Sequence, residues 1–213
     1  MPSPPETVYL YHITHVGNLA AIVERGGLMS YNRIHAEGIS YANIAHDSIQ
    51  EKRANKQVTC GPGGTLHDYV PFYFGHRSPM LYSINRGNVE GYEEGQGPVV
   101  HLVTKLTHVK SAGVPYVFSD GHGIKAWVEF FDDDKDLDKI DWPLMRAKYW
   151  FDRDEDPNRA FRRQAEFLVR DHFPWEGFAG MLVLNEETKA AAESAMDGAD
   201  HRPQVLVHPA AYY

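Results

Sequence analysis

Apolar and polar positions alternate in short runs along the chain, and the pattern predicts strands and helices in irregular order. The predicted strands cover residues 8–13, 69–75, 99–104, 116–119, 165–169, 180–184 and 204–207. The first predicted helix has Thr14 as its N-cap and ends at Gly26 and Gly27, and others cover residues 44–53, 126–131, 142–150 and 186–196. Because no regular strand–helix–strand rhythm is present, we predict one α+β domain over residues 1–213, with residues 1–7 as a flexible tail.

One predicted strand carries a carboxylate in its middle. Alternation places Ala165, Phe167 and Val169 on one face of the strand, whereas Glu166 shares the other face with Leu168. A glutamate among strand-forming residues is costly unless it faces water or a cleft. The strand pattern alone leaves two interpretations open, a charged residue on an exposed edge strand and a cleft residue with a chemical role.

Two further features concern backbone geometry. Pro71 lies in the predicted strand 69–75, and because proline donates no hydrogen bond, this strand is predicted to lie at a sheet edge or to contain a bulge. The GPGG sequence at residues 61–64 is predicted to be a turn, since the Lys-Ser/Thr pair of a phosphate-binding loop does not follow it.

Composition restricts the class of protein. The 213-residue chain has a net charge of −8 and a single cysteine, Cys60, which excludes an internal disulfide and suits a reducing cytoplasm. No run of about 18 apolar residues is present, so we expect no membrane association. The first residues lack the charged and apolar regions of a secretory signal, and a cytoplasmic location is expected.

The negative net charge argues against broad nucleic-acid binding, but the segment 146–163 differs from the rest of the chain. Six basic residues and four aromatic residues occur there, interrupted by four acids. The residues with a predicted role in DNA binding are Arg146, Lys148, Tyr149, Trp150, Arg153, Arg159, Arg162 and Arg163. Basic side chains with aromatic neighbours can hold a short single strand, although a solvated loop of mixed charge fits the composition equally well.

Other catalytic classes find little support. His12 and His15 are three residues apart, but one lies in a predicted strand and the other in the turn after it, so no metal site is predicted. No HExxH sequence and no GxSxG sequence is present, which disfavours a metal hydrolase and a serine hydrolase.

Four segments, at residues 11–28, 63–82, 119–123 and 162–175, resemble the DarT family of bacterial DNA ADP-ribosyltransferase toxins from toxin–antitoxin systems. They span the chain from end to end. The resemblance implies an ADP-ribosyltransferase fold, in which a split and strongly bent β-sheet with flanking helices holds NAD in a central cleft. It also implies NAD as co-substrate, single-stranded DNA as acceptor and a cognate macrodomain antitoxin as partner.

The resemblance also implies residue roles. Glu166 corresponds to the catalytic glutamate, and Arg53 to an arginine near the NAD phosphates and the reacting base. His12 would contact the adenosine-side ribose, the backbone of Ile13 would hold the nicotinamide amide, and Tyr73 would stack near the nicotinamide. The full implied cofactor set is His12, Ile13, Thr14, Asn18, Leu28, Tyr73, Met80 and His122.

The expected reaction transfers ADP-ribose to a DNA base, with thymine as the expected acceptor. The carboxylate of Glu166 would stabilise positive charge at the ribose carbon when nicotinamide leaves, and would then remove the proton from the thymine ring nitrogen. Arg53 would offset the pyrophosphate charge and stabilise the resulting anion. Transfer to guanine, RNA or protein, and a non-catalytic nucleotide- or nucleic-acid-binding module, remain as alternatives.

Overall fold

The computed structural model of the protein describes residues 3–213, so residues 1 and 2 of the predicted tail lie outside it. The strands are β1 (Tyr9–His15), β2 (Gly27–Met29), β3 (Tyr69–Tyr73), β4 (Val99–Lys105), β5 (Tyr116–His122), β6 (Phe130–Phe131), β7 (Ala165–Arg170), β8 (His172–Pro174), β9 (Gly180–Val183) and β10 (Gln204–Val207). The helices are α1 (Leu19–Glu24), α2 (Tyr31–Ala36), α3 (Asp47–Asn55), α4 (Pro79–Asn85), α5 (Leu106–Ser111), α6 (Trp142–Met145), α7 (Arg159–Arg162) and α8 (Glu186–Ala195).

Within residues 3–213, eight strands form one bent sheet in the order β10-β9-β4-β1-β3-β7-β5-β6, and β2 pairs with β8 in a small second sheet. All pairs in the large sheet are antiparallel except β9 with β10. The predicted α+β class is therefore confirmed. None of the helices in the described part of the chain has the length and apolarity needed to cross a membrane.

The large sheet is interrupted between β1 and β3. The two strands share one paired position, Tyr11 opposite Tyr73, whereas β1 pairs with β4 along its whole length. Pro71 lies in this interruption, and its carbonyl accepts a hydrogen bond from the ring of His12 instead of from a β1 amide. The edge position predicted from Pro71 is wrong, because β3 also pairs with β7 over five residues, but the missing amide is tolerated where β1 has separated.

Strand β7 crosses the centre of the molecule. Its residues Ala165, Phe167 and Val169 belong to the main hydrophobic core, as the alternation predicted, and Leu168 joins a second cluster with Leu66 on the other face. The strand lies between β3 and β5, so the exposed-edge interpretation of its glutamate is excluded.

Three of the predicted helical features are wrong. Residues 126–131 form a turn and then β6, because Phe130 and Phe131 pair with β5 and the ring of Phe131 stacks on Phe118. The helix predicted over 142–150 ends at Met145. The carbonyl of Met145 accepts a hydrogen bond from the Arg163 side chain, whereas in a continuing helix it would accept from the amide of Tyr149. Thr14 belongs to β1 and is not an N-cap.

Candidate active site

A cavity of about 450 Å³ opens where β1 separates from β3, a volume typical of small-molecule sites. The elements that surround it include β1, α1, β2, α2, α3, β3, α4, β5 and β7, together with the connection at residues 39–46. Every residue predicted to act in catalysis or to bind the cofactor lines this cavity: Glu166, Arg53, His12, Ile13, Thr14, Asn18, Leu28, Tyr73, Met80 and His122.

Glu166 is 4% exposed and lies opposite Tyr73 in the β3–β7 pairing. The Nη1 atom of Arg53 donates to both carboxylate oxygens, at 3.0 Å and 2.8 Å. The amide of Gly123 donates to Oε1 at 3.3 Å, and the Nδ1 atom of His122 lies 3.6 Å from the same oxygen. The donors on Arg53 and Gly123 thus hold the carboxylate in one orientation.

Two opposing effects act on the pKa of Glu166. Burial disfavours the charged form, but the Arg53 guanidinium and the His122 ring favour it more strongly and lower the pKa to about 2. At neutral pH the cavity therefore contains an ionised carboxylate. A group with so low a pKa is a weak base as long as Arg53 remains against it.

Arg53 reaches the carboxylate from the last turn of α3. Its side chain is 11% exposed, and its Nη2 atom is buried without a hydrogen-bond partner in the described part of the chain. A buried guanidinium donor without a partner is costly unless a ligand completes it. The arrangement therefore suits an acceptor-rich ligand, such as a phosphate or ribose oxygen, next to Glu166.

His12 is neutral at physiological pH, because its burial lowers the pKa to about 4. Its Nδ1 atom lies 2.8 Å from the carbonyl oxygen of Pro71. A carbonyl can only accept, so Nδ1 carries the proton and Nε2 is left as an acceptor. The side chain can consequently accept a hydrogen bond from a ligand hydroxyl.

Asn18 acts on the wall of the cavity. Its side-chain amide donates to the Oγ1 atom of Thr14 and to the carbonyl of Ala42, and its oxygen accepts from the Ala42 amide at 2.7 Å. These bonds attach the connection at residues 39–46 to the end of β1. Asn18 and Thr14 therefore shape the cavity in addition to lining it.

Sequence reasoning missed an aromatic group in the cavity. Tyr31 stacks on His67 with ring centroids 3.9 Å apart and lies 4.1 Å from His35. The Nε2 atom of His67 is 3.0 Å from the side-chain oxygen of Gln50. Tyr31, His35 and His67 lie in the irregular stretch 30–68 outside the predicted helix 44–53, where the hydrophobic pattern carries no period, and only an unusual number of histidines and tyrosines could have indicated them.

The structure divides the predicted DNA-binding segment into exposed and buried residues. Arg146, Lys148, Tyr149 and Arg153 are exposed. Arg159 and Arg162 are partly buried, and both form ion pairs with Asp156.

Two residues of the predicted set are buried, which corrects the expectation that the whole set faces DNA. Arg163 is 3% exposed and donates to the carbonyls of Met145 and Arg77. Trp150 is 6% exposed and donates to the hydroxyl of Tyr213. Both side chains thus fasten the segment to the body of the protein. In the part of the chain that the structure describes, no cluster of three or more metal-binding side chains is present.

Comparisons with known proteins found matches over almost the whole chain. Residues 11–213 match the family model described as ssDNA thymidine ADP-ribosyltransferase, DarT. A DNA ADP-ribosyl transferase of Thermus sp. (strain 2.9) is 45% identical over 213 residues, which cover 98% of each chain.

Solved structures are similar over the whole chain. Thermus sp. 2.9 DarT in complex with ADP-ribosylated ssDNA has a TM-score of 0.92 and 38% identity, covering 100% of this chain and 99% of that one. The same protein in complex with NAD+ has a TM-score of 0.86 and 36% identity, covering 99% and 100%. A Thermosipho africanus protein named a DNA ADP-ribosyl transferase–DNA ADP-ribosyl glycohydrolase fusion is 32% identical over 190 residues, covering 88% of this chain and 45% of the fusion.

Proposed function

Because the chain belongs to the DarT family of ssDNA thymidine ADP-ribosyltransferases, we propose that its cavity binds NAD beside Glu166 and transfers ADP-ribose to a thymine base. The chain is an NAD-dependent DNA ADP-ribosyltransferase, and single-stranded DNA is its substrate. The ADP-ribosyltransferase fold and the use of NAD, both expected from the sequence, are confirmed. The observation that carries the residue-level proposal is the buried Glu166–Arg53 pair in the wall of the cavity.

The cavity fits NAD on two observations. The Nη2 atom of Arg53, which has no hydrogen-bond partner among residues 3–213, can donate to a phosphate or ribose oxygen, and the Nε2 atom of His12 can accept from a ribose hydroxyl. NAD supplies the reactive carbon, the one that bears nicotinamide. Tyr73, beside Glu166, is kept protonated by burial, which raises its pKa, so it presents a neutral ring and hydroxyl there.

Glu166 acts in two stages in this proposal. While Arg53 holds it ionised, the carboxylate stabilises the positive charge that develops at the ribose carbon as nicotinamide departs. Acceptor oxygens of the substrates then compete for the Arg53 donors. As the ion pair loosens, the pKa of Glu166 rises, and the carboxylate becomes a better base for the proton on the thymine ring nitrogen.

The exposed residues Arg146, Lys148, Tyr149 and Arg153 contact the DNA strand in this proposal, whereas Trp150 and Arg163 fix the shape of the segment that carries them. A single strand is preferred because extracting a base from a duplex costs a few kcal/mol. The net charge of −8 implies that the contact covers few nucleotides.

Labelled NAD tests the proposal directly. We expect label on a single-stranded oligonucleotide that contains thymine, little on its annealed duplex, and none after every thymine is replaced. Labelling that persists without thymine would support guanine as acceptor, and label on RNA or protein would support the other transferase alternatives. NAD binding without any transfer would support the non-catalytic alternative.

We also propose that the chain acts as the toxin of a toxin–antitoxin pair in the cytoplasm, where NAD and DNA are both present. The support is the Thermosipho relative, whose name joins a transferase to a DNA ADP-ribosyl glycohydrolase. The partner would be a macrodomain glycohydrolase that removes ADP-ribose from DNA. Expression of the wild type should arrest growth, Glu166→Gln should not, and co-expression of such a glycohydrolase should restore growth.

A further inference from the structure

An exposed aromatic and basic cluster lies on the connection between β5 and β6. Trp127 is 62% exposed, although large aromatic side chains usually lose most of their surface to the core. Its ring is 5.9 Å from that of Phe161, and the Nζ atom of Lys125 lies 5.6 Å from its centroid. The Trp127 cluster, as we call Lys125, Trp127 and Phe161, has the chemistry that holds nucleobases and phosphates.

The Trp127 cluster is close to the catalytic carboxylate. The ring of Phe161 fills the space where a Cβ atom of residue 121 would be, so it packs directly on Gly121. The next two residues are His122 and Gly123, which both lie against Glu166 Oε1. When an acceptor base lies at Glu166, the neighbouring nucleotide of the same strand can therefore reach the Trp127 cluster.

Positive charge continues from the Trp127 cluster towards Arg53. The Nζ atom of Lys56, just after α3, donates to the carbonyl of Lys125 at 2.7 Å and ties the connection to that helix. A groove beside this contact is lined by Glu51, Lys52, Asn55, Lys56 and Ile124. Although the chain has a net charge of −8, Lys52, Lys56 and Lys125 extend from α3 to the Trp127 cluster and favour the binding of an anionic strand there.

We propose that Trp127 stacks on the nucleobase adjacent to the target thymine while Lys125 neutralises the phosphate between them. The inference rests on the proposed function, and it adds a subsite outside the segment 146–163. Stacking tolerates any base because every base has an aromatic face. The subsite therefore contributes affinity and position without reading sequence.

The test combines a protein change with a DNA change. Transfer to a short oligonucleotide with one thymine is measured for the wild type and Trp127→Ala, with abasic sites placed in turn on either side of that thymine. We expect Trp127→Ala to raise the KM for intact DNA about fivefold, the low end of what stacking contributes. We expect an abasic site on one side to cost the wild type a similar factor and to cost Trp127→Ala almost nothing.

Controls separate this subsite from general effects. Trp127→Phe keeps an aromatic face and should stay within about twofold of the wild type, and NAD affinity should be unchanged in both variants. Tyr9→Ala is a matched control. Tyr9 is an aromatic residue at the start of β1, 43% exposed, with the Lys105 ammonium over its ring, and its loss should leave the KM for DNA unchanged.

Two results would overturn the inference alone, given a wild type that labels DNA. One is an unchanged KM for DNA in Trp127→Ala. The other is an abasic site that raises the KM of Trp127→Ala by the same factor as that of the wild type, whichever side of the thymine it is on. A wild type that labels no DNA would overturn the proposed function and this inference together.

Discussion

The Glu166–Arg53 pair makes a prediction that can be worked out from the structure. Arg53→Met removes the guanidinium but keeps an unbranched side chain in the same space. In the wild type the pKa of Glu166 falls from 4.5 to about 2, which corresponds to roughly 3 kcal/mol of stability at neutral pH. Without Arg53, the raising effect of burial, the largest single effect on this pKa, is opposed by the His122 ring alone, so the pKa rises and the ionised carboxyl then destabilises the folded protein.

The pH dependence follows from the direction of these shifts. In the wild type, the contribution of Glu166 to the free energy of unfolding is complete above pH 4.5 and is lost as the pH falls towards 2. The reason is that the carboxylate takes up its proton at a lower pH in the folded protein than in the unfolded chain. The variant behaves in the opposite way, since its buried carboxyl is stabilising only when protonated. We therefore expect Arg53→Met to be at least about 3 kcal/mol less stable than the wild type at pH 7, with a smaller difference at pH 4.

Urea unfolding followed by circular dichroism at pH 7, 5.5 and 4 measures the difference. Arg33→Met is the matched control: Arg33 pairs with Glu37 and Asp171 but is 36% exposed, so its loss should cost less than about 1 kcal/mol. Adding Glu166→Gln to Arg53→Met should recover part of the loss at pH 7. Equal stability of Arg53→Met and the wild type at pH 7, or a difference that does not shrink with acid, would refute the reasoning.

Four further outcomes are expected. Glu166→Gln should lower transfer at least about a hundredfold without a comparable loss of NAD affinity, and wild-type turnover in this variant would remove Glu166 from the mechanism. His12→Ala should weaken NAD binding about fivefold by calorimetry, since it removes one acceptor, and an unaltered affinity would exclude His12 from the site. Lys148→Ala should reduce the slope of log affinity for single-stranded DNA against log salt by about one, whereas Arg163→Met should lower the unfolding free energy instead. EDTA should leave activity unchanged, and inhibition that zinc reverses would contradict the prediction that the protein has no metal site.

Several strands were predictable from local sequence. The predicted strand 204–207 coincides with β10, and β4, β7 and β9 differ from their predictions by one residue. Strands β4 and β7 are buried on both faces and read as short apolar runs, whereas β9 and β10 alternate between buried and more exposed positions. The short elements β2, β8, α2 and α4 were not predicted, because three to seven residues are too few to show a period.

The candidate site could be predicted only in part. The lone carboxylate in a strand pointed to Glu166, and the family resemblance pointed to Arg53 and His12, which lie 113 and 154 positions from it along the chain. Neither the pairing of Arg53 with Glu166 nor the stacking of Tyr31 on His67 has a local signal, because both contacts join segments far apart in sequence.

The sequence by itself determined the α+β class, the position of the central strands and the identity of the charged group that the cleft would contain. Only the tertiary structure decided that Trp150 and Arg163 are buried while Trp127 is exposed, since burial depends on which distant segments cover a residue. It also decided the charge state of the site. A glutamate in an apolar strand is expected to have a raised pKa, and the guanidinium brought from α3, 113 positions away, reverses that shift together with the His122 ring.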